Sequence, residues 1–237
     1  MKKCVRNVVC AMMFTAAGAG AAMADTVEMR YVGTGLHRSI TLSGVVNTTV
    51  HAGELVHEFR NGTGAAASLN GLITTFCTEV TQHVSSNWKV FTLTEAENAP
   101  SPGSGMGEAK AAMLARLYGI AGGQQHESAD FAAAFQMMVW EIVYDYDPAA
   151  AGTGNLSRTS GNLRFSSNGS YFGAVSTIFE SLRTALLAET GVPTMNIAAV
   201  VNGTAQDQLV VLMPLPSAGA MALAGLMGVA GVRRRRA

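Results

Sequence analysis

The sequence predicts an α+β fold, an antiparallel β-sandwich carrying a helical insertion of about three helices, with an apolar leader before it and an apolar tail behind it. Three observations predict it. Strand-type alternation fills Thr26 to Phe59, helix-favouring composition and periodicity occupy Glu108 to Glu189, and two short alternating runs close the body after Asn196.

In the first region, Val27-Glu28-Met29-Arg30-Tyr31 and Ser39-Ile40-Thr41-Leu42-Ser43 switch between apolar and polar side chains at every step, the period of a half-buried strand. His51-Ala52-Gly53-Glu54 reads as a hairpin turn between Val50 and Leu55, and Asn61-Gly62 as a loop. Leu72 to Cys77 and Trp88 to Leu93 read as two further strands. A Pro- and Gly-rich linker from Ala99 to Gly107 then opens into a helix from Glu108 to Tyr118, closed by Gly119. Ser128 is placed to cap a second helix that runs to about Tyr144. That helix is apolar nearly all round, with Phe131, Phe135, Met138 and Ile142 on one face, and it is expected at the centre of the domain. A loop follows from Asp147 to Asn168. A third helix, from about Tyr171 to Glu189, carries Val175, Ile178, Phe179, Leu182 and Leu186 on one side. Strands from Asn196 to Val201 and from Gln208 to Met213 flank a turn at Asn202-Gly203.

The two ends bound where the body is delivered. Lys2, Lys3 and Arg6 precede an apolar run and an Ala22-Met23-Ala24 exit, the pattern of a secretory signal peptide over residues 1–24. The alternative of a lipoprotein lipidated on Cys10 suffers because the apolar stretch lies mostly after that cysteine. At the other end Pro214-Leu215-Pro216 introduces an uncharged apolar stretch from Ser217 to Val232, followed at once by Arg233, Arg234, Arg235 and Arg236. As a helix it covers roughly 24 Å, close to a hydrocarbon core of about 30 Å, and the arginines would remain in the cytoplasm. A tail of this kind holds the body outside the membrane. The body between, residues 25–213, is long enough for one domain with its own core.

The formal charge of the chain is zero, but the body retains nine basic against sixteen acidic residues, a net of about −7. Such a balance argues against nucleic acid as a partner, which rewards clustered positive charge. Cys4 and Cys10 leave with the signal, so Cys77 is the body's single cysteine and is buried and inert, paired with another chain, or chemically committed. His37, His51, His57, His83 and His126 are scattered without metal-ligand spacing, so no metal and no cofactor is expected. The Asp145-Tyr146-Asp147 corner reads as a helix end, with calcium as the alternative. No Gly-x-Ser-x-Gly, phosphate loop or paired-carboxylate pattern supports a conventional enzyme.

Two resemblances follow from these residues. Pro214, Pro216, the Gly- and Ala-rich run and the arginine cluster over residues 214–237 resemble a PEP-CTERM sorting signal, with Leu215 where that family usually has Glu. The resemblance implies export in a Gram-negative bacterium, recognition by an exosortase-type processing protease, transient residence in the cytoplasmic membrane and a final place at the cell surface or outside the cell, often beside exopolysaccharide. Within the body, Phe76-Cys77-Thr78-Glu79 and Phe135-Gln136-Met137-Met138-Val139-Trp140-Glu141 resemble the thioester domains of bacterial surface adhesins, with Phe135 and Met138 where the family usually has Thr and Ala. That resemblance implies an internal thioester between Cys77 and Gln136, shielded by Phe76, Phe135, Trp140 and Glu141, and an amine-bearing surface ligand or exopolysaccharide as partner. In such a bond the Cys77 thiolate attacks the Gln136 carboxamide and ammonia leaves. Glu79, Glu141 and His83 are candidates to assist proton transfer. The remaining readings are a structural or carbohydrate-binding exported protein without the bond, and a hydrolase built on Cys77.

Overall fold

The computed structural model describes residues 24–150, 154–188 and 194–212. The expected leader core and the sorting tail, with Pro214, Pro216 and Arg233 to Arg236, lie outside them. Among the described residues no helix is long and apolar enough to cross a membrane.

The alternation after Thr26 forms two long antiparallel strands, β1 (Thr26–Gly44) and β2 (Thr48–Arg60). The turn expected at His51 to Glu54 is not there. The chain reverses between Gly44 and Thr48, and Ala52 and Gly53 stand in the ladder opposite Arg38 and His37. Gly53 serves a different purpose from turning: the β1–β2 register shifts between Thr34 and His37, Gly53 adopts φ 142°, and a Cβ there would collide with the Leu36 carbonyl and His37. A bulge that brings two backbones this close requires glycine.

The other strands are β3 (Gly71–Cys77), β4 (Lys89–Glu95), β5 (Leu163–Ser166), β6 (Ile197–Asn202) and β7 (Ala205–Val211). They pair in the order β2-β3-β7-β6-β4-β1-β5, every pairing is antiparallel, and β1 also pairs β2. Six strands therefore close into a ring, where two facing sheets were expected. Closure follows from the length of β1. Its first residues pair β4, nearly its whole length pairs β2, and Thr41 to Gly44 carry β5, a strand that sits within the stretch read as loop.

Alternate residues of the ring, among them Val27, Met29, Phe59, Phe91, Val200 and Val210, form one buried cluster, joined by Ala66 and Leu69 from a 3-10 turn at Gly64–Leu69. The second and larger cluster joins Ile40, Leu42, Leu55 and Phe76 of the sheet to three helices: α1 (Glu108–Ala121), α2 (Ala129–Tyr144) and α3 (Phe172–Ala188). The first helix runs past Gly119, which stays inside it. It ends at Gly122, left-handed at φ 56°, whose N–H donates to the Tyr118 carbonyl. Ser128 caps α2 as predicted, its Oγ accepting from Phe131 N at 3.1 Å. Every residue of α2 from Ala132 to Val143 is buried, because β1 and β2 pack on one side and α3 on another. A helix apolar all round has thus become the centre of the domain.

Candidate functional site

Gln136 sits in the middle of α2 with no exposed surface, so its carboxamide must find partners inside the protein. It finds both on one residue. Gln136 Oε1 accepts from the backbone N–H of Cys77 at 3.1 Å, and Gln136 Nε2 donates to the Cys77 carbonyl at 2.9 Å. The pairing has a cause in the sheet. β3 pairs β2 only from Gly71 to Thr75, while Phe76 and Cys77 pair β7. Thr78 N donates to the Asp207 carbonyl on the β7 side, so the N–H and C=O of Cys77 face the other way, beyond the end of the β2 ladder. A carboxamide has the donor and acceptor of a peptide group. Gln136 takes the place of the missing ladder partner.

Phe76, Phe135 and Trp140 lie around this contact, whereas Glu141 is held by Ser157 N. Phe76 and Phe135 meet at a centroid distance of 4.7 Å, Tyr118 packs edge-on against Phe135 at 4.9 Å, and Trp140 stacks on Phe165 at 6.3 Å. These rings leave Cys77 only 5% exposed. Burial pushes the thiol pKa up to about 12, against a smaller downward pull from the Trp140 indole. Trp140 Nε1 is buried, close to the sulfur, and makes no hydrogen bond of ordinary geometry. Glu141 has no exposed surface. Its Oε2 accepts from Ser157 N at 2.9 Å, its Oε1 has no partner, and burial lifts its pKa to about 9, so it is a neutral acid at pH 7.

Beyond Cys77 the chain turns into a buried acidic pair that the sequence did not announce. Glu79 Oε2 accepts from Thr81 Oγ1 at 2.7 Å, and Glu79 Oε1 accepts from Asp207 N at 3.3 Å. Asp207 takes the backbone N–H groups of Ser101 and Asn202, yet burial still lifts its pKa to about 7, and burial also raises Glu79. Inside the ring, His57 Nδ1 meets Thr75 Oγ1 at 2.9 Å and Thr75 Oγ1 donates to Gln208 Oε1 at 2.9 Å. Burial lowers the His57 pKa to about 4. The signal for His57 was present: it shares the strand parity of Leu55 and Phe59.

Cys77 and Trp140 also line an open cavity of about 360 Å³, whose other walls include Tyr31, His51, Gln82 and His83. Of the suggested proton-transfer groups, His83 lines this cavity, Glu79 raises the thiol pKa through its charge, and Glu141 is tied to Ser157. Asp145 at the end of α2 receives the N–H groups of Asn162 and Leu163, so it anchors β5. Among the described residues no group of three or more His, Cys, Asp or Glu is arranged to hold a metal ion. No protein-family model, no curated protein and no solved structure matches the chain.

Proposed function

We propose that this chain is an exported cell-surface or extracellular-matrix protein whose body joins Cys77 to Gln136 in an internal thioester and attaches through it to an outside nucleophile. The tail, with Pro214, Pro216 and Arg233 to Arg236, holds the body at the membrane until an exosortase-type protease processes it. Its work is attachment, and it turns over no substrate. The reciprocal pair of hydrogen bonds between the Gln136 carboxamide and the Cys77 peptide carries this reading. In that arrangement the Cys77 N–H already donates to the oxygen that gains charge when sulfur attacks the Gln136 Cδ. The Sγ–Cδ bond forms, the thiol proton passes to the departing nitrogen, and ammonia leaves. Phe76 and Phe135 shield the product from water on the core side, while Cys77 and Trp140 face the cavity by which a nucleophile would enter.

Two observations favour the second reading, a structural or carbohydrate-binding protein without the bond. The same two hydrogen bonds satisfy an ordinary buried Gln, and a thiol whose pKa stands near 12 is a weak nucleophile at pH 7. The intact mass of the exported body separates the two. A mass lower by one ammonia, restored in Cys77→Ala, supports the thioester, and the unmodified mass refutes it.

A further inference from the structure

The cavity beside Cys77 suits one kind of acceptor better than another. Its lining includes Thr34, Thr48, Thr49, His51, Gln82 and His83, and among the described residues no carboxylate and no Lys or Arg. Two of its residues hold buried polar atoms without partners: Trp140 Nε1, a donor only, and Gln82 Oε1, an acceptor, whose own amide nitrogen is committed to the Ser101 carbonyl at 2.6 Å. A buried polar atom left unmatched is costly. A ligand that both accepts and donates would satisfy the pair. A lysine arrives as an ammonium, which only donates, cannot use the indole N–H, and must give up a proton before its nitrogen can attack.

Resting on the thioester reading above, we infer that the acceptor is a hydroxyl of a carbohydrate, giving an ester link in place of the amide link formed by an amine. The hydroxyl oxygen attacks Gln136 Cδ and the Cδ–Sγ bond breaks. The hydroxyl proton passes to an imidazole of the lining, His51 or His83, and from there to Sγ. The products are an ester at position 136 and the Cys77 thiol, with every atom accounted for. Because the thiol pKa stands near 12, a bare thiolate is a poor leaving group, and proton return to sulfur completes the step.

The experiment incubates the purified exported protein at pH 8 with equal concentrations of maltotriose or N-acetyl-lysine amide, and reads intact mass and the peptide containing residue 136. The expected result is a maltotriose adduct that hydroxylamine removes, formed at least about tenfold faster than the lysine adduct. Gln82→Met should slow that adduct about tenfold with the ammonia loss unchanged, and His51→Gln with His83→Gln should slow it about 100-fold in the molecules that have lost ammonia. A lysine adduct that forms as fast or faster, no adduct from either probe, or variants within threefold of wild type overturn the inference while the missing ammonia leaves the thioester standing. A protein of unmodified mass overturns both.

Discussion

Replacing Glu141 by Gln should make the protein more stable at neutral pH, even though the residue is fully buried. Glu141 is a neutral acid in the folded chain because its pKa is lifted by burial from the ordinary 4.5 to about 9. Between those two values the folded state binds the proton and the unfolded state does not, so stability is full below pH 4.5 and falls as pH rises. The loss is about 1.4 kcal/mol per pH unit, so by pH 7 it reaches at most about 3 kcal/mol, and relaxation of the surroundings around the carboxyl brings it to between about 1 and 3 kcal/mol. A Gln keeps the shape and the acceptor for Ser157 N and does not titrate. Its amide nitrogen would stand where Oε1 already lacks a partner, a cost that is nearly the same at every pH. Urea denaturation of both proteins at pH 4, 5.5 and 7 measures the difference. The variant should roughly match the native chain at pH 4 and exceed it by about 1–3 kcal/mol at pH 7. A gap that does not widen with pH would show that Glu141 is ionised in the folded protein, and the reasoning about its burial would fail.

Gln136→Glu, which has the side chain that hydrolysis of a thioester would leave, should lower stability by about 2–4 kcal/mol at pH 7, because the buried carboxyl must hold its proton to donate to the Cys77 carbonyl; a melting temperature equal to wild type would contradict this. Phe135→Ala removes a ring held between Phe76 and Tyr118 and should cost about 3–5 kcal/mol in denaturant unfolding. In Gly53→Ala, the Cβ has no room beside the Leu36 carbonyl and φ 142° is strained, so a loss above about 2 kcal/mol is expected; an unchanged urea midpoint would mean the β1–β2 bulge tolerates a side chain.

Local chemistry was legible where a residue's neighbours in sequence decide its state. The cap at Ser128, the all-buried second helix, the loop at Asn61-Gly62 and the turn at Asn202-Gly203 each depend on a few adjacent residues. What could not be read depends on distant ones. Gly53 resembles a turn glycine because Gly marks both turns and bulges, and only the opposite strand tells them apart. Gly119 did not stop α1, since the apolar face continues through Ala121 and the left-handed Gly122 lies one turn on. The four residues from Leu163 to Ser166 are too short a run to read as a strand, yet β1 overhangs far enough to pair with them. The sandwich became a closed ring because β1 pairs on two sides, a fact invisible to periodicity. The Cys77–Gln136 pairing spans 59 positions, and only the motif resemblance connected the two. The Glu79–Asp207 pair, the cavity and its unmatched atoms had no such link.

The position of Gln136 poses a conflict that the fold itself creates. As an amide, Gln136 completes the β3 ladder by serving the N–H and the C=O of Cys77 together. Thioester formation expels the nitrogen, so the Cys77 carbonyl loses its donor, while the N–H can keep an oxygen acceptor. An unpaired carbonyl is the more tolerable of the two backbone losses. The amide is therefore arranged so that the bond it would form sacrifices the cheaper contact and retains the one that stabilises the attacked oxygen. Hydrolysis would leave a carboxyl that must either hold a proton at pH 7 to serve the Cys77 carbonyl or carry a charge in a buried site, and either cost makes the hydrolysed chain the least stable of the three forms. A thioester at this site would favour passing the acyl group to an entering ligand over losing it to water, because an ester or amide at position 136 brings no titrating group into the core.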